Sequence, residues 1–344
     1  MFSIVRPSSL FATKPMLTRA NSALNPGQIL QGNRWNYRIL KAVKGDSTHT
    51  STIFKAEVLP HRNTTESPPK WAVIKVASPD NADAQGNLSR EHNMYRLDCV
   101  NSAACFRRLT LALEWLDTTL MEIKYQPILD SYELIKKFLK AALRSCVILD
   151  GQKLVNTDYK PGNILVSGIN TGSVKAKVGD LGLVFPSGGR INAQPLAMRA
   201  PEIFLGHACT GPAPVWAIGA MTLSWIMPGI LGAAGSPSPY IDNAWSMAKI
   251  KRLFPGWNIP HPDEVERSTL KLAVEYAAEF ADGSEGAEDL QAILMFEEET
   301  RKVEMPQQLR DLLRLMLECD PNKRPSALCV LKSKQFWAFE NLSA

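Results

Sequence analysis

The chain has 344 residues, 45% of them hydrophobic and 21% charged, enough to hide roughly three-quarters of its unfolded surface; this excludes a disordered tail protein and a disulfide-stapled mini-domain. Its 39 basic and 34 acidic residues leave a net charge of +5, too mild without a localised patch to indicate nucleic-acid binding. The length admits two structural units or one two-lobed domain, and six cysteines with no C-x-x-C pair and no histidine at metal-ligand spacing indicate reduced, buried thiols in an intracellular protein.

Residues 1–45 contain no Asp or Glu, and Arg6, Lys14 and Arg19 stand among Ser3, Ser8, Ser9, Thr13 and Thr18. That is the balance of an organelle transit peptide. It is equally the balance of an unstructured extension without addressing value, since Pro7, Pro15 and Pro26 oppose one long amphipathic helix. Strand-like patterns follow at 35–43, 52–57 and 71–77, separated by polar turns, and predict a small antiparallel sheet. A helix is expected over 84–97. A second is expected from Asp130, where Glu133 gives a capping-box spacing and Leu134, Phe138 and Ala142 mark a buried stripe.

No Lys, Arg, Asp or Glu occurs between Glu202 and Asp242, and 215–234 is apolar enough to suggest a membrane span. Pro228, Gly229, Gly232 and Gly235 interrupt that run and no basic cluster flanks it, so a buried helix of about four turns is expected instead. Residues 263–299 hold twelve acids against Arg267 and Lys271, a charge of −10 that leaves +15 elsewhere. This segment reads as a solvated helical insertion or as a docking surface for basic partners.

The strongest chemical signal is Asp158-Tyr159-Lys160-Pro161-Gly162-Asn163-Ile164-Leu165, followed by Asp180-Leu181-Gly182. This order suits phosphoryl transfer. Asp158 can accept the proton of an attacking hydroxyl, Lys160 can neutralise the moving phosphoryl group, and Asn163 and Asp180 can hold Mg²⁺ against phosphate oxygens. Upstream, Ala72-Val73-Ile74-Lys75 puts a lysine on a strand, and Glu91 in the first helix is placed to pair with it and aim it at the phosphates.

This set resembles the eukaryotic protein kinases, with their strand lysine, catalytic loop, D-F-G and A-P-E motifs, over residues 35–340. Ala200-Pro201-Glu202 matches the end of the activation segment, and Trp216 with Gly219 matches the start of the buried helix after it. Leu312-Leu313 through Asp320-Pro321-Asn322-Lys323-Arg324-Pro325-Ser326 resembles the last two helices, and implies that Arg324 pairs with Glu202. Arg199 before Ala200 is similar to the group of cyclin-dependent, MAP and SR-protein kinases. The text at 44–51 with Phe54-Lys55-Ala56 resembles fungal SR-protein-kinase-like proteins.

The resemblance implies an α+β, bilobal fold: an extension over 1–30, a lobe with a small antiparallel sheet over 31–116, and a mainly helical lobe over 117–344 carrying the acidic insertion. It implies ATP held by Ile53, Val73, Lys75, Glu91, Glu114, Leu116, Asn163, Leu165 and Asp180, with Mg²⁺ on Asn163 and Asp180. Leu113 takes the gatekeeper position at the start of the 114–116 hinge. Asp158 and Lys160 take the catalytic roles, Lys160 favouring serine or threonine as acceptor. The implied partner is a protein substrate, Arg-Ser-rich in keeping with the −10 segment, with no nucleic acid and no membrane span. The location implied is cytoplasmic or nuclear, with a mitochondrial address through the acid-free N-terminus as the alternative.

Departures from the family pattern accompany these matches. Asp46, Thr48 and Ser51 stand in place of three phosphate-loop glycines, where side chains and one negative charge oppose close approach to phosphate, and Lys41 or Lys44 is placed to do part of the glycines' work. Val73 replaces a small alanine. Asn156-Thr157 precedes Asp158 where His-Arg is usual, Pro195 takes a threonine position, and Pro214 replaces an aspartate that braces the catalytic loop. The stretch from Glu91 to Glu114 is short, which predicts a missing or rebuilt fourth strand. A pseudokinase scaffold therefore stands as the alternative to an active kinase. A small-molecule phosphotransferase is the third reading, opposed by the A-P-E segment and the Arg324 helix pair.

Overall fold

The computed structural model describes residues 24–43, 51–61, 67–97, 105–107, 110–190, 194–283 and 286–342. Six strands near the start form one antiparallel sheet: β1 (Ile29–Gln31), β2 (Asn36–Val43), β3 (Ser51–Leu59), β4 (Trp71–Ala77), β5 (Cys105–Arg107) and β6 (Thr110–Glu114), in the order β1-β2-β3-β4-β6-β5. The period-two alternation of β3 divides its faces. Phe54, Ala56 and Val58 join Trp35, Tyr37, Ile39, Ala72 and Ile74 in one core cluster, while Ile53 and Lys55 lie on the other face with their register partners Lys75 and Val73.

Helix α1 (Ala82–Tyr95) covers this sheet. Asn81 caps it by accepting from the Ala84 N–H at 2.9 Å, which starts the helix two residues before the sequence pattern suggests. Ala84 and Leu88 pack on Ala77 and Leu111. The fourth strand expected to be missing or rebuilt is present. Cys105, Phe106 and Arg107 pair with Ala112, Leu111 and Thr110 at the sheet edge, so a three-residue edge strand fits into the shortened stretch.

The rest of the chain is mainly helical, built around α2 (Leu129–Gly151), whose Leu134, Ile135, Phe138, Leu139, Ala142 and Leu143 are buried. The capping box expected at Asp130 does not form. Ile128 is the N-cap, Asp130 sits inside the first turn where it meets the helix dipole favourably, and Glu133 pairs with Lys136. Short strands surround the C-terminal end of α2: β7 (Thr118–Thr119), β8 (Leu154–Asn156), β9 (Ile164–Ser167), β10 (Lys175–Val178) and β11 (Val184–Pro186), with β10-β9-β7 and β11-β8 as the two small sheets.

After the one-turn α3 (Pro201–Phe204) comes α4 (Pro212–Ile226), buried on all sides. It is the expected four-turn helix, but it ends at Ile226, and the remaining apolar residues fold back through left-handed Gly229, Gly232 and Gly235. Among the described residues no helix is long and apolar enough to cross a membrane. The acidic segment forms α6 (Ser268–Asp282), α7 (Glu288–Gln291) and α8 (Phe296–Glu299) after α5 (Asp242–Leu253). It is solvated only on its outer side: Val274, Ala277, Ala281 and Leu290 are buried beneath α6 and α7, and α8 buries both Phe296 and Glu299. The chain closes with α9 (Gln307–Met316), α10 (Ala327–Leu331) and α11 (Lys334–Glu340). Cys146, Cys209 and Cys319 are free and buried, whereas Cys329, expected to be buried like the rest, is exposed.

Candidate active site

A cleft of about 560 Å³ lies between the sheet and the helical part, within the range of small-molecule sites. Its apolar walls are Ile53, Val73, Leu113, Leu116 and Leu165, and Lys75, Glu114, Asn163 and Asp180 also line it. Val73 therefore narrows the slot but leaves it open. The Glu114 side chain pairs with Lys177, which leaves the 114–116 backbone as the polar edge of the slot. Lys55 also lines the cleft, held 4.7 Å from the Trp71 ring and 4.2 Å from the Trp115 ring. Lys41 borders the cleft and Ser51 opens β3, while Lys44, Gly45, Asp46 and Thr48 lie outside the described residues.

On β4, Lys75 is buried with its Nζ 2.9 and 3.0 Å from the two Glu91 oxygens and 3.3 Å from Asp180 Oδ2. Burial opposes its charge, yet the Glu91 and Asp180 carboxylates hold Lys75 above the ordinary lysine range. The ammonium is thus fixed at the inner end of the cleft. Asp180 has a left-handed backbone at φ 54° and accepts the Gly182 N–H on Oδ1 at 3.2 Å, a conformation that costs energy in a non-glycine residue. The turn is also tied to α1, because Arg90 Nε donates to the Gly182 carbonyl at 2.9 Å. No sequence pattern marks Arg90 or Lys55 as a residue of the site.

The second group stands on the loop between β8 and β9. Lys160 Nζ is 3.2 Å from Asp158 Oδ2, and Asn163 Nδ2 donates to both the Asp158 carbonyl and Oδ2 at 2.8 Å. Burial raises the Asp158 pKa against the opposing pull of Lys160 and Asn163, which moves this carboxylate toward the range useful to a base. The two residues before it are occupied structurally. Asn156 Oδ1 accepts the Asp158 N–H at 3.0 Å, and Thr157 donates to the Leu183 carbonyl from both N, at 3.1 Å, and Oγ1, at 2.9 Å. Pro214 is buried in the first turn of α4, where it supplies no donor. The Pro195 carbonyl accepts the Met198 N–H at 2.8 Å.

The segment before α3 is braced by a residue that no sequence pattern marks. Gln194 is buried and left-handed at φ 73°, accepts the Ala200 N–H at 2.9 Å and donates to the Ala213 carbonyl at 3.2 Å. Its own carbonyl accepts Arg199 Nε and Nη2 at 3.2 and 3.0 Å. The pair implied by the resemblance forms: Arg324 bonds Glu202 through two contacts of 2.6 and 2.9 Å and lies over the Trp216 ring.

These donors suit a nucleotide with a hard divalent cation. Asn163 commits its amide nitrogen to Asp158 and so keeps Oδ1 as an acceptor, and Asp180 adds carboxylate oxygens. Among the described residues no three His, Cys, Asp or Glu side chains form a self-sufficient metal cage. One or two protein oxygens completed by phosphates is the usual arrangement for Mg²⁺.

Comparison with known proteins agrees with this geometry. Residues 87–336 match the profile described as Protein kinase domain. The chain is 25% identical over 235 residues to mouse Cyclin-dependent kinase-like 2, covering 67% of this chain and 38% of that protein. It is 25% identical over 256 residues to Serine/threonine-protein kinase crk1 of Schizosaccharomyces pombe, covering 73% and 69% respectively. Against Cyclin-dependent kinase-like 1 of Caenorhabditis elegans the identity is 26% over 187 residues, covering 48% and 51%. The matched region is thus well under half the length of the mouse relative and about half that of the nematode one.

Proposed function

The chain belongs to the protein kinase family, and on that premise we propose that it is an ATP- and Mg²⁺-dependent protein serine/threonine kinase. The supporting observation is a pair of ionic groups, Lys75 with Glu91 and Asp180, and Asp158 with Lys160 and Asn163, of which Lys75, Asp180 and Asn163 line one cleft while Asp158 and Lys160 stand behind Asn163 outside its lining. When bound, ATP supplies the phosphoryl group and Mg²⁺ offsets its charge. Lys75, fixed by Glu91, orients the phosphates, while Asn163 and Asp180 hold the cation. Asp158 takes the proton of the acceptor hydroxyl, and Lys160 at 3.2 Å steadies the negative charge that develops beside it.

In this reading 31–116 is the nucleotide-roofing lobe and 117–344 the substrate lobe, after an extension over 1–30. Two of the relatives carry cyclin-dependent kinase-like names, and the sequence text adds a likeness to SR-protein kinases. We take an Arg-rich protein as substrate because Glu275, Glu279 and Asp282 stand exposed on α6, and we place the enzyme in the cytoplasm or nucleus. A catalytically weak scaffold is the second reading. Thr157 and Pro214 favour it, since Thr157 carries no charge where the family has an arginine and Pro214 donates no bond where the family has an aspartate.

The test is the melting temperature of the full chain with and without millimolar Mg²⁺-ATP, repeated on Asp180→Asn. A ligand at about a hundred times its dissociation constant adds about 2.7 kcal/mol, roughly 4 °C for a domain of this size. A Mg²⁺-dependent rise that Asp180→Asn removes, with phosphorylation of an Arg-Ser peptide that Asp158→Ala removes, supports the kinase. A rise without phosphorylation supports the scaffold.

A further inference from the structure

Between Asp158 and Lys160 stands Tyr159, a residue with no place in the chemistry above. Asp158 and Lys160 turn toward each other beside Asn163, which lines the cleft. The backbone of Lys160 is extended, at φ −151° and ψ 160°, and in extended chain successive side chains point to opposite sides. Tyr159 accordingly turns away from the cleft, fully buried, with its hydroxyl 2.6 Å from Ser145 Oγ and 3.1 Å from Cys146 Sγ on α2.

Counting protons fixes the direction of these bonds. Ser145 has one hydroxyl proton, and its Oγ bonds the Ala142 carbonyl at 2.8 Å, so the Tyr159 hydroxyl donates to Ser145. That leaves the Tyr159 oxygen to accept from the Cys146 thiol. The result is a neutral chain running from Cys146 through Tyr159 and Ser145 to a backbone carbonyl, in which each group uses its single proton once. Burial pushes the Tyr159 phenol well above its ordinary range and the Cys146 thiol up to about 12, so both keep those protons at neutral pH. Nothing about this chain can reverse without breaking the Ser145 bond to α2.

We propose that Tyr159 is a positioning residue that pins the catalytic loop to α2 through Ser145 and Cys146 and thereby sets Asp158 and Lys160 together. This rests on the kinase reading and deepens it. Pro214 offers no donor from α4, and Asn156 and Thr157 bond within the loop or to the Leu183 carbonyl beside it rather than to a helix. Tyr159 reaches a long, buried helix, and because its two neighbours share its backbone, a shift at 159 moves the base and the lysine at once.

Tyr159→Phe keeps the ring and removes the hydroxyl, and Ser145→Ala removes the acceptor from the other side. The expected result is a fall in kcat of about tenfold for Tyr159→Phe, the worth of roughly one buried hydrogen bond. ATP affinity should stay within about twofold, because the contacts of Lys75 are untouched. Ser145→Ala should give a smaller fall, and the double variant should match Tyr159→Phe alone, since both changes cut one chain. Backbone amide exchange over 154–163 should quicken in both. An unchanged kcat in Tyr159→Phe, or losses that add in the double variant, overturns the proposal. If the wild type transfers no phosphate, the kinase reading fails and amide exchange decides the anchor alone: faster exchange over 154–163 in Tyr159→Phe supports it, and unchanged exchange overturns it.

Discussion

Replacing Arg324 by methionine tests the deepest ionic contact outside the cleft. The Arg324 side chain is fully buried and Glu202 is 4% exposed. Besides its two bonds to Glu202, the guanidinium donates to the carbonyls of Glu318, Pro212 and Cys319 at 2.6, 3.2 and 3.2 Å. Arg324→Met therefore leaves a buried carboxylate and three carbonyls without their donor. Removing one partner of such a pair costs about 3 to 5 kcal/mol. With an unfolding entropy of about 2.1 cal/mol/K per residue over roughly 300 residues, that lowers the melting temperature by about 5 to 8 °C. Differential scanning calorimetry reads this directly. The companion variant Glu202→Leu with Arg324→Met removes the stranded charge and should recover at least half of the loss. Glu202 lies in α3, directly after the segment held by Gln194 and Arg199, so the KM for a protein substrate should rise in Arg324→Met. A single variant that melts within about 2 °C of the wild type, or a double variant no more stable than the single one, would refute the reasoning.

Three further outcomes follow from particular contacts. Lys75→Met removes the cation shared by Glu91 and Asp180 and should cut phosphotransfer by about 10² or more; an initial-rate assay retaining over a tenth of the activity contradicts the assigned role. Gly232 has φ 76°, and a Cβ there would lie 2.8 Å from Ala197 backbone atoms. Gly232→Ala should therefore cost about 1 to 3 kcal/mol and raise the peptide KM by displacing Ala197, whereas an unchanged melting temperature would mean that the loop is free to yield. Burial lowers Lys249 from its ordinary 10.5 to about 8, against the opposing pull of Asp289. Between those values the unfolded chain carries a proton that the folded chain lacks, so stability from this group rises as pH climbs through the window. The melting temperature of the wild type relative to Lys249→Met should increase from pH 8 toward 10.5, and parallel curves would show that the buried amine keeps its proton.

What the sequence disclosed was the chemistry whose residue types are rare and whose order is fixed. Asp158, Lys160, Asn163 and Asp180 lie within a short stretch, and the pairing of Lys75 with Glu91 needs only a strand followed by a helix. The bond between Glu202 and Arg324, 122 residues apart, was accessible through family resemblance alone, because no local pattern links residues that far apart. Side chains recruited by tertiary packing stayed hidden. Lys55 between two tryptophans, Arg90 on the Gly182 carbonyl and left-handed Gln194 depend on where whole elements meet. Glu133 shows the limit of local rules, since its capping-box spacing was real but Lys136 offered a nearer partner. The fourth strand shows the same limit in counting: three residues suffice when the sheet edge supplies the register.

The departures from the family pattern bear first on control and only then on chemistry. Thr157 in place of arginine removes a cation on which an activation-segment phosphate would dock. The described part of that segment is held by fixed bonds instead: Gln194 to Ala200 and Ala213, Arg199 to Gln194 and Asn243, and Glu202 to Arg324. None of these bonds needs an added charge. The described part of the segment therefore holds these bonds without a phosphate, and the choice between kinase and scaffold falls on the catalytic loop. There the residues that depart from the pattern are engaged rather than idle. Asn156 Oδ1 holds the Asp158 amide and Thr157 holds the Leu183 carbonyl, while Tyr159, between the matched Asp158 and Lys160, reaches α2. These bonds around an intact Asp158, Lys160 and Asn163 are the physical ground on which the kinase is proposed ahead of the scaffold.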